Sequence, residues 1–148
     1  MSFSLDVNVM LYASDQASPL YLPASRFLAK CAAGSELCYL AWSTLMSYLR
    51  ITTHPGIFTQ PLAPLEALKN IRGLLSLPHV RTISEGEGFI EVYQDVTGTI
   101  PVRGNLVPDA HLVALLRQHD IQTLYSTDTD FRKFAWLTVK NPLVETSK

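Results

Sequence analysis

Two carboxylates, Asp128 and Asp130, stand one residue apart after a short β-favouring segment, residues 121–125. In open α/β sheets, ligands bind beyond the carboxyl ends of the strands, where acidic side chains can hold a divalent cation. The alternative is an Asp-rich turn that caps the next helix. The choice between them depends on whether the chain sends other carboxylates to the same place.

Two further aspartates are candidates for the same site. Asp6 closes the first predicted strand, residues 3–7, and Asp109 opens a predicted helix, residues 110–117. Taken alone, Asp6 is explained as an N-cap and Asp109 as a favourable charge in the first turn of a helix. Their significance therefore depends on the fold.

Strand-like and helix-like segments alternate along the chain. Strands are predicted at residues 3–7, 37–41, 80–83, 121–125 and 137–140. Helices are predicted at residues 7–15, 24–33, 43–52, 65–77, 86–96 and 110–117, with a short helix at 131–134. This alternation predicts one α/β domain spanning residues 1–148: a three-layer sandwich with a parallel twisted sheet of four to five strands and helices on both faces. A long irregular connection is predicted at residues 98–108, and loops of that length are usually functional.

A parallel sheet brings the aspartates together. All its strands point their carboxyl ends towards one edge, which receives Asp6, Asp128 and Asp130. The helix opened by Asp109 runs antiparallel to the strand after it, so its amino end faces the same edge. Carboxylates in one crevice repel one another, and a hard divalent cation removes that penalty. Oxygen-only ligands select Mg²⁺ or Mn²⁺, and such an ion can activate water against a phosphate. The chemistry indicated is hydrolysis of a phosphodiester.

Composition narrows the class of protein. The hydrophobic content of 47% is typical of a compact globular domain, and the net charge of −1 argues against holding nucleic acid by bulk electrostatics. Cys31 and Cys38 lack metal-ligand spacing and are interpreted as thiols in a reducing compartment. No signal peptide or membrane span is recognised, so a cytoplasmic protein without a membrane partner is expected.

Five motifs together resemble the PIN-domain ribonucleases of the VapC toxin type: residues 5–13, 49–55, 104–115, 126–131 and 141–143. The resemblance implies a PIN-like fold and an endoribonuclease that depends on Mg²⁺ or Mn²⁺ and hydrolyses RNA. It also implies a homodimer inhibited by a VapB-type antitoxin whose tail enters the active site. Carried over by position, the metal-binding acids are Asp6, Asp109 and Asp128, with Asp130 as a further catalytic acid.

One position departs from that pattern. Similar proteins carry a glutamate three residues before the arginine of the second motif, and here the position is Ser47. A serine supplies no charge but can hydrogen-bond water. The candidates for positioning water are Ser47, Ser43, Asn8 and Thr127.

The substitution at Ser47 supports a second hypothesis: a degenerate PIN domain that binds RNA or protein without efficient turnover. A third hypothesis, a phosphatase with an aspartyl nucleophile, fits less well. Such enzymes use a second aspartate two residues after the first, and here that position is Asn8.

Overall fold

Residues 2–144 are described by a computed structural model. They form one parallel sheet of five strands: β1 (Ser2–Leu5), β2 (Leu37–Ala41), β3 (Val80–Ile83), β4 (Thr123–Tyr125) and β5 (Thr138–Lys140). The strand order is β3-β2-β1-β4-β5, and every pairing is parallel. The first strand of the chain therefore lies at the centre of the sheet, with β4 beside it.

Within the described part of the chain, six α-helices accompany the strands: α1 (Val7–Ser14), α2 (Tyr21–Ala33), α3 (Trp42–Thr52), α4 (Pro64–Leu75), α5 (Phe89–Thr97) and α6 (Leu106–Gln118). A short 3₁₀ helix, Thr129–Lys133, follows β4. Among residues 2–144, no helix is long and apolar enough to cross a bilayer.

The helices cover both faces of the sheet, as predicted. Side chains alternate between the faces of a strand. In β2, Cys38 and Leu40 pack with α1, α3 and α4, whereas Tyr39 and Ala41 pack with α5 and α6. The predicted three-layer sandwich is therefore confirmed.

Helices α2 and α6 begin earlier than the sequence predicted, and each holds a proline in its first turn. Pro23 lies in the first turn of α2, which begins at residue 21 rather than 24. Pro108 is the third residue of α6, which begins at residue 106 rather than 110. A proline at these positions removes no intrahelical hydrogen bond, because the first four N–H groups of a helix lack a partner within it. The predicted irregular connection therefore ends at residue 105.

Other boundaries also differ from the predicted ones, and those of β1 and α5 have an identifiable cause. β1 ends at Leu5 rather than at residue 7, because Asp6 caps α1 and Val7 is already helical. α5 begins at Phe89 rather than at residue 86, after Gly88 in a left-handed conformation with φ of 75°. Glycine, which has no Cβ, adopts that left-handed conformation at little cost.

The side chain of Leu124 is fully buried in the core between the sheet and α6, so shortening it tests how much that core contributes to stability. We expect Leu124→Ala to lower the free energy of unfolding by about 2–5 kcal/mol through lost burial and a residual cavity. Leu65→Ala is the matched control, since Leu65 is 80% exposed. Urea denaturation of both variants measures the difference, and equal losses would contradict this description of the core.

Candidate metal centre

The pairing of β1 with β4 places Asp6 beside the segment that follows β4. Leu5 lies opposite Tyr125 in the register of the two strands. The backbone N–H of Asp6 then donates to the carbonyl of Tyr125 at 3.0 Å. Asp6 and Ser126 are consequently neighbours at the carboxyl edge of the sheet.

Asp6 is held at both of its carboxylate oxygens. Oδ1 accepts from the backbone N–H of Val7 at 2.7 Å, and Oδ2 accepts from the Ser126 hydroxyl at 2.8 Å. Burial raises the pKa of Asp6 above its usual range, the charge of Asp128 adds to the rise, and the two hydrogen bonds oppose it. Asp6 is thus both the N-cap of α1 and a member of the convergent acidic set.

Ser126 connects the members of the site, although its role was not predicted from the sequence. Its side chain is buried, it donates to Asp6 and its hydroxyl oxygen accepts from the backbone N–H of Asp128 at 3.0 Å. The Asn8 side-chain amide lies 3.4 Å from the same oxygen. The sequence offers one indication of this role, because Ser126 directly follows a predicted strand and Asp6 lies at the end of another. Only the strand register shows that Ser126 is buried whereas Thr127 is partly exposed.

Three of the predicted acids form a close group: Asp109, Asp128 and Asp130. Each offers one ligand oxygen, and these oxygens all lie within 4.8 Å of one another. Asp109 is the fourth residue of α6, and Asp128 caps the 3₁₀ helix by accepting from the N–H of Asp130 at 2.9 Å. The convergence expected from a parallel sheet is present, with Asp130 in the close group and Asp6 next to it.

The group is electrostatically unfavourable without a counterion. The pKa of Asp109 is raised to about 6, first by burial and then by the charges of Asp128, Asp6 and Asp130 in that order. Lys133 opposes it, with Nζ 3.5 Å from Asp130 Oδ1. A carboxyl group shifted this far is typical of functional sites, where like charges are held together.

The donors at this edge suit a hard divalent cation. All three ligand atoms of the close group are carboxylate oxygens, the type that Mg²⁺ and Mn²⁺ prefer. Asn8 Oδ1 is a buried acceptor without a hydrogen-bond partner among residues 2–144. A buried acceptor left unpaired costs free energy unless a donor such as a water molecule reaches it. The residues present therefore fit a hydrated metal ion.

Helix α3 brings two of the predicted polar residues to the same edge. Ser4 lies opposite Tyr39 in the β1–β2 register, so Ala41 is level with Asp6 and α3 starts immediately after it. Ser43 and Ser47 are partly exposed on this helix, one turn apart. Their role in positioning water stays a prediction. Glu36 precedes β2 and lies at the opposite edge of the sheet, so it does not replace the absent glutamate.

The raised pKa of Asp109 predicts a pH effect on stability in the metal-free protein. The pKa is about 6 in the folded state against an ordinary 3.8, so the folded state binds more protons between these values. Stability therefore falls as pH rises from about 4 to 6 and stays lower above that range. We expect Asp109→Asn, measured by thermal unfolding in EDTA, to unfold at a higher temperature than the unaltered protein at pH 7.5 and to lose this advantage near pH 4.

Asp15→Asn is the matched control, because Asp15 lies at the far end of α1 from Asp6. It should not reproduce the pH-dependent gain. A lower unfolding temperature for Asp109→Asn at pH 7.5 would contradict the electrostatic description of the site.

Comparison with known proteins gives relatives along nearly the whole chain, although no protein-family model matches it. Ribonuclease VapC48 of Mycobacterium tuberculosis H37Rv is 46% identical over 142 residues, covering 96% of this chain and 98% of that protein. Ribonuclease VapC37 of the same strain is 29% identical over 130 residues, covering 88% and 90%.

Solved structures share the fold at lower identity. VapC20 of Mycobacterium tuberculosis superimposes with a TM-score of 0.64 at 18% identity, covering 88% of this chain and 93% of that one. VapBC2 from Rickettsia felis gives a TM-score of 0.66 at 15% identity, covering 95% and 98%. Since VapC48 matches at 46% identity from end to end, the chain belongs to the VapC family of PIN-domain ribonucleases.

Proposed function

We propose that this protein is a metal-dependent endoribonuclease that hydrolyses phosphodiester bonds of RNA. The observation that carries the proposal is the group of three carboxylates whose ligand oxygens lie within 4.8 Å at the carboxyl edge of the sheet. Its relatives VapC48 and VapC37 are named ribonucleases. Family and site chemistry therefore point to the same reaction.

Asp109, Asp128 and Asp130 would hold the cation, with Asp6 as the fourth carboxylate of the site. We infer that the ion is Mg²⁺ or Mn²⁺, because the donors are oxygens without histidine or cysteine. When bound, such an ion neutralises phosphate charge and lowers the pKa of water. Protons compete with metal for Asp109, whose pKa is about 6, so the site is ready for metal above that pH.

Ser126 fixes the positions of two of these acids. Its hydroxyl holds Asp6 at 2.8 Å and the backbone of Asp128 at 3.0 Å. Asn8 lies on the same side, with its Oδ1 free to accept from water. Asn8, Ser43, Ser47 and Thr127 are the residues we assign to positioning water, since each carries a neutral polar group at this edge.

We further propose that the protein is the toxin of a VapBC-type pair and is inhibited by a VapB-type antitoxin. The Rickettsia felis relative is described as a VapBC2 assembly. Several large apolar side chains in and around α3 and α4 are exposed, which is typical of a surface that meets a protein partner. They are Trp42, Met46, Ile57, Leu65 and Leu68. A homodimer is the other assembly that we propose for this protein.

A cytoplasmic location is also proposed. Cys31 and Cys38 are free thiols, and the pKa of Cys38 is raised to about 12, first by burial and then by the nearby Cys31. Thiols that remain unpaired at such proximity are typical of a reducing compartment.

Cleavage of RNA tests the function directly. We expect a panel of single-stranded and structured RNAs to be cleaved with Mg²⁺ or Mn²⁺ and to survive in EDTA. Asp128→Asn removes a carboxylate of the close group and should lower kcat by a factor of about 10² or more, on the scale of losing one electrostatic element of an active site. Asp15→Asn, which removes a carboxylate at the far end of α1, should retain activity. Equal cleavage in EDTA would refute the proposal.

The variant Ser47→Glu distinguishes the nuclease hypothesis from the hypothesis of a degenerate binding module. Because the carboxylates of the close group are all present, we expect the unaltered protein to cleave RNA and Ser47→Glu to change the rate by less than about tenfold. Ser47→Gln controls for side-chain size without charge. An inactive protein that gains turnover only as Ser47→Glu would favour the binding module.

A further inference from the structure

Beside the acidic group lies a cleft that the catalytic site does not use. Its volume is about 190 Å³, more than a single water molecule needs. Its lining includes Lys133, Arg117, Trp136, Val113 and Asp95. We refer to it as the α6 cleft.

Lys133 joins the α6 cleft to the acidic group. Its ammonium lies 3.5 Å from Asp130 Oδ1, and its charge acts on Asp109. Among residues 2–144, Lys133 is the one lysine or arginine that makes an ion pair with a member of the acidic group. The cleft therefore begins where the acidic group ends.

The direction of the cleft follows α6. Asp109, Val113 and Arg117 are four residues apart and lie on one face of the helix, which rises about 12 Å between the first and the last. A stacked strand advances about 3.4 Å per nucleotide. A strand with its cleaved bond at Asp109 would thus reach Arg117 within about four nucleotides.

The chemistry of the cleft suits a nucleic-acid strand. Within the lining, Lys133 and Arg117 supply two positive charges and Asp95 one negative charge, and Asp130, outside the lining, pairs with Lys133. The Arg117 guanidinium lies 5.2 Å from the centre of the Trp136 ring. Basic grooves with aromatic side chains are the usual means of binding single strands without sequence preference. In a protein of net charge −1, RNA requires such a local patch.

We propose that the α6 cleft binds the segment of the RNA strand adjoining the cleaved bond. Lys133 contacts a backbone phosphate next to the acidic group, and Arg117 with Trp136 contacts the nucleotides beyond it. This assignment rests on the proposed ribonuclease function and gives that function a substrate path.

Binding of RNA to charge-altered variants tests the path. The probe is a fluorescein-labelled single-stranded RNA of twelve nucleotides, measured by anisotropy with Mg²⁺ in the Asp128→Asn background, which suppresses cleavage. We expect Lys133→Ala and Arg117→Ala each to weaken binding about three- to tenfold. Each should also reduce the slope of log affinity against log salt by about 0.7, the value for one lost phosphate contact on a single strand. Lys133→Arg and Arg117→Lys should restore the affinity largely.

Arg72→Ala is the matched control. It removes the same charge from an exposed residue of α4, on the opposite face of the sheet from α6. Binding should stay within twofold of the reference. If Arg72→Ala weakens binding as much as Lys133→Ala, the effect is bulk charge and the assignment fails. The unfolding temperature of every variant should match that of the reference. If an alanine variant unfolds at a lower temperature, the binding affinities of Lys133→Arg and Arg117→Lys decide the outcome.

Tryptophan fluorescence gives a readout local to the cleft. The chain has two tryptophans, Trp42 and Trp136, so Trp42→Phe leaves only the one in the α6 cleft. We expect RNA to quench this emission at saturation, and an unchanged emission while RNA is bound would overturn the assignment.

The two proposals can fail separately. If the unaltered protein cleaves RNA while Lys133→Ala and Arg117→Ala bind as tightly as the reference, only the cleft assignment is refuted. If the unaltered protein neither cleaves nor binds RNA, both proposals are refuted.

Discussion

Repulsion among the carboxylates at the carboxyl edge of the sheet is the constraint on which the site depends. Asp109, Asp128 and Asp130 lie close together, and Asp6 adds its charge to theirs. The fold holds them by means independent of their charge. β1 pairs with β4, and α6 is anchored by a continuous buried run from Leu112 to Leu116. The repulsion is therefore retained in the folded state, where a divalent cation can relieve it.

Capping and metal binding are compatible roles for the same aspartates. Asp6 caps α1, and Asp128 caps the 3₁₀ helix, as the simpler interpretation of each residue predicted. In both cases one carboxylate oxygen accepts a backbone N–H, which fixes the side chain at the start of a helix. Since helices start where parallel strands end, the cap positions coincide with the edge where the site forms.

The sequence predicted the elements whose signals are local. β2 and β3 have the predicted bounds: β2 is a short apolar run, and β3 is rich in β-branched residues and begins and ends with the buried Val80 and Ile83. The predicted starts of α2 and α6, residues 24 and 110, lie after Pro23 and Pro108, but the first helical turn tolerates proline and both helices begin before it. Convergence of the aspartates followed from topology alone. Ser126, by contrast, was missed because its contacts cross 120 residues to Asp6, and the α6 cleft because it joins residues of three segments.

In the proposed site, metal and protons compete for the same carboxylates. Titration calorimetry with Mn²⁺, in pairs of buffers that differ in ionisation enthalpy, counts the protons released on binding. A carboxyl with a pKa of about 6 is half protonated at pH 6, so we expect release of about half a proton there and almost none at pH 8. Absence of Mn²⁺ binding, or binding with no proton release at either pH, would contradict it.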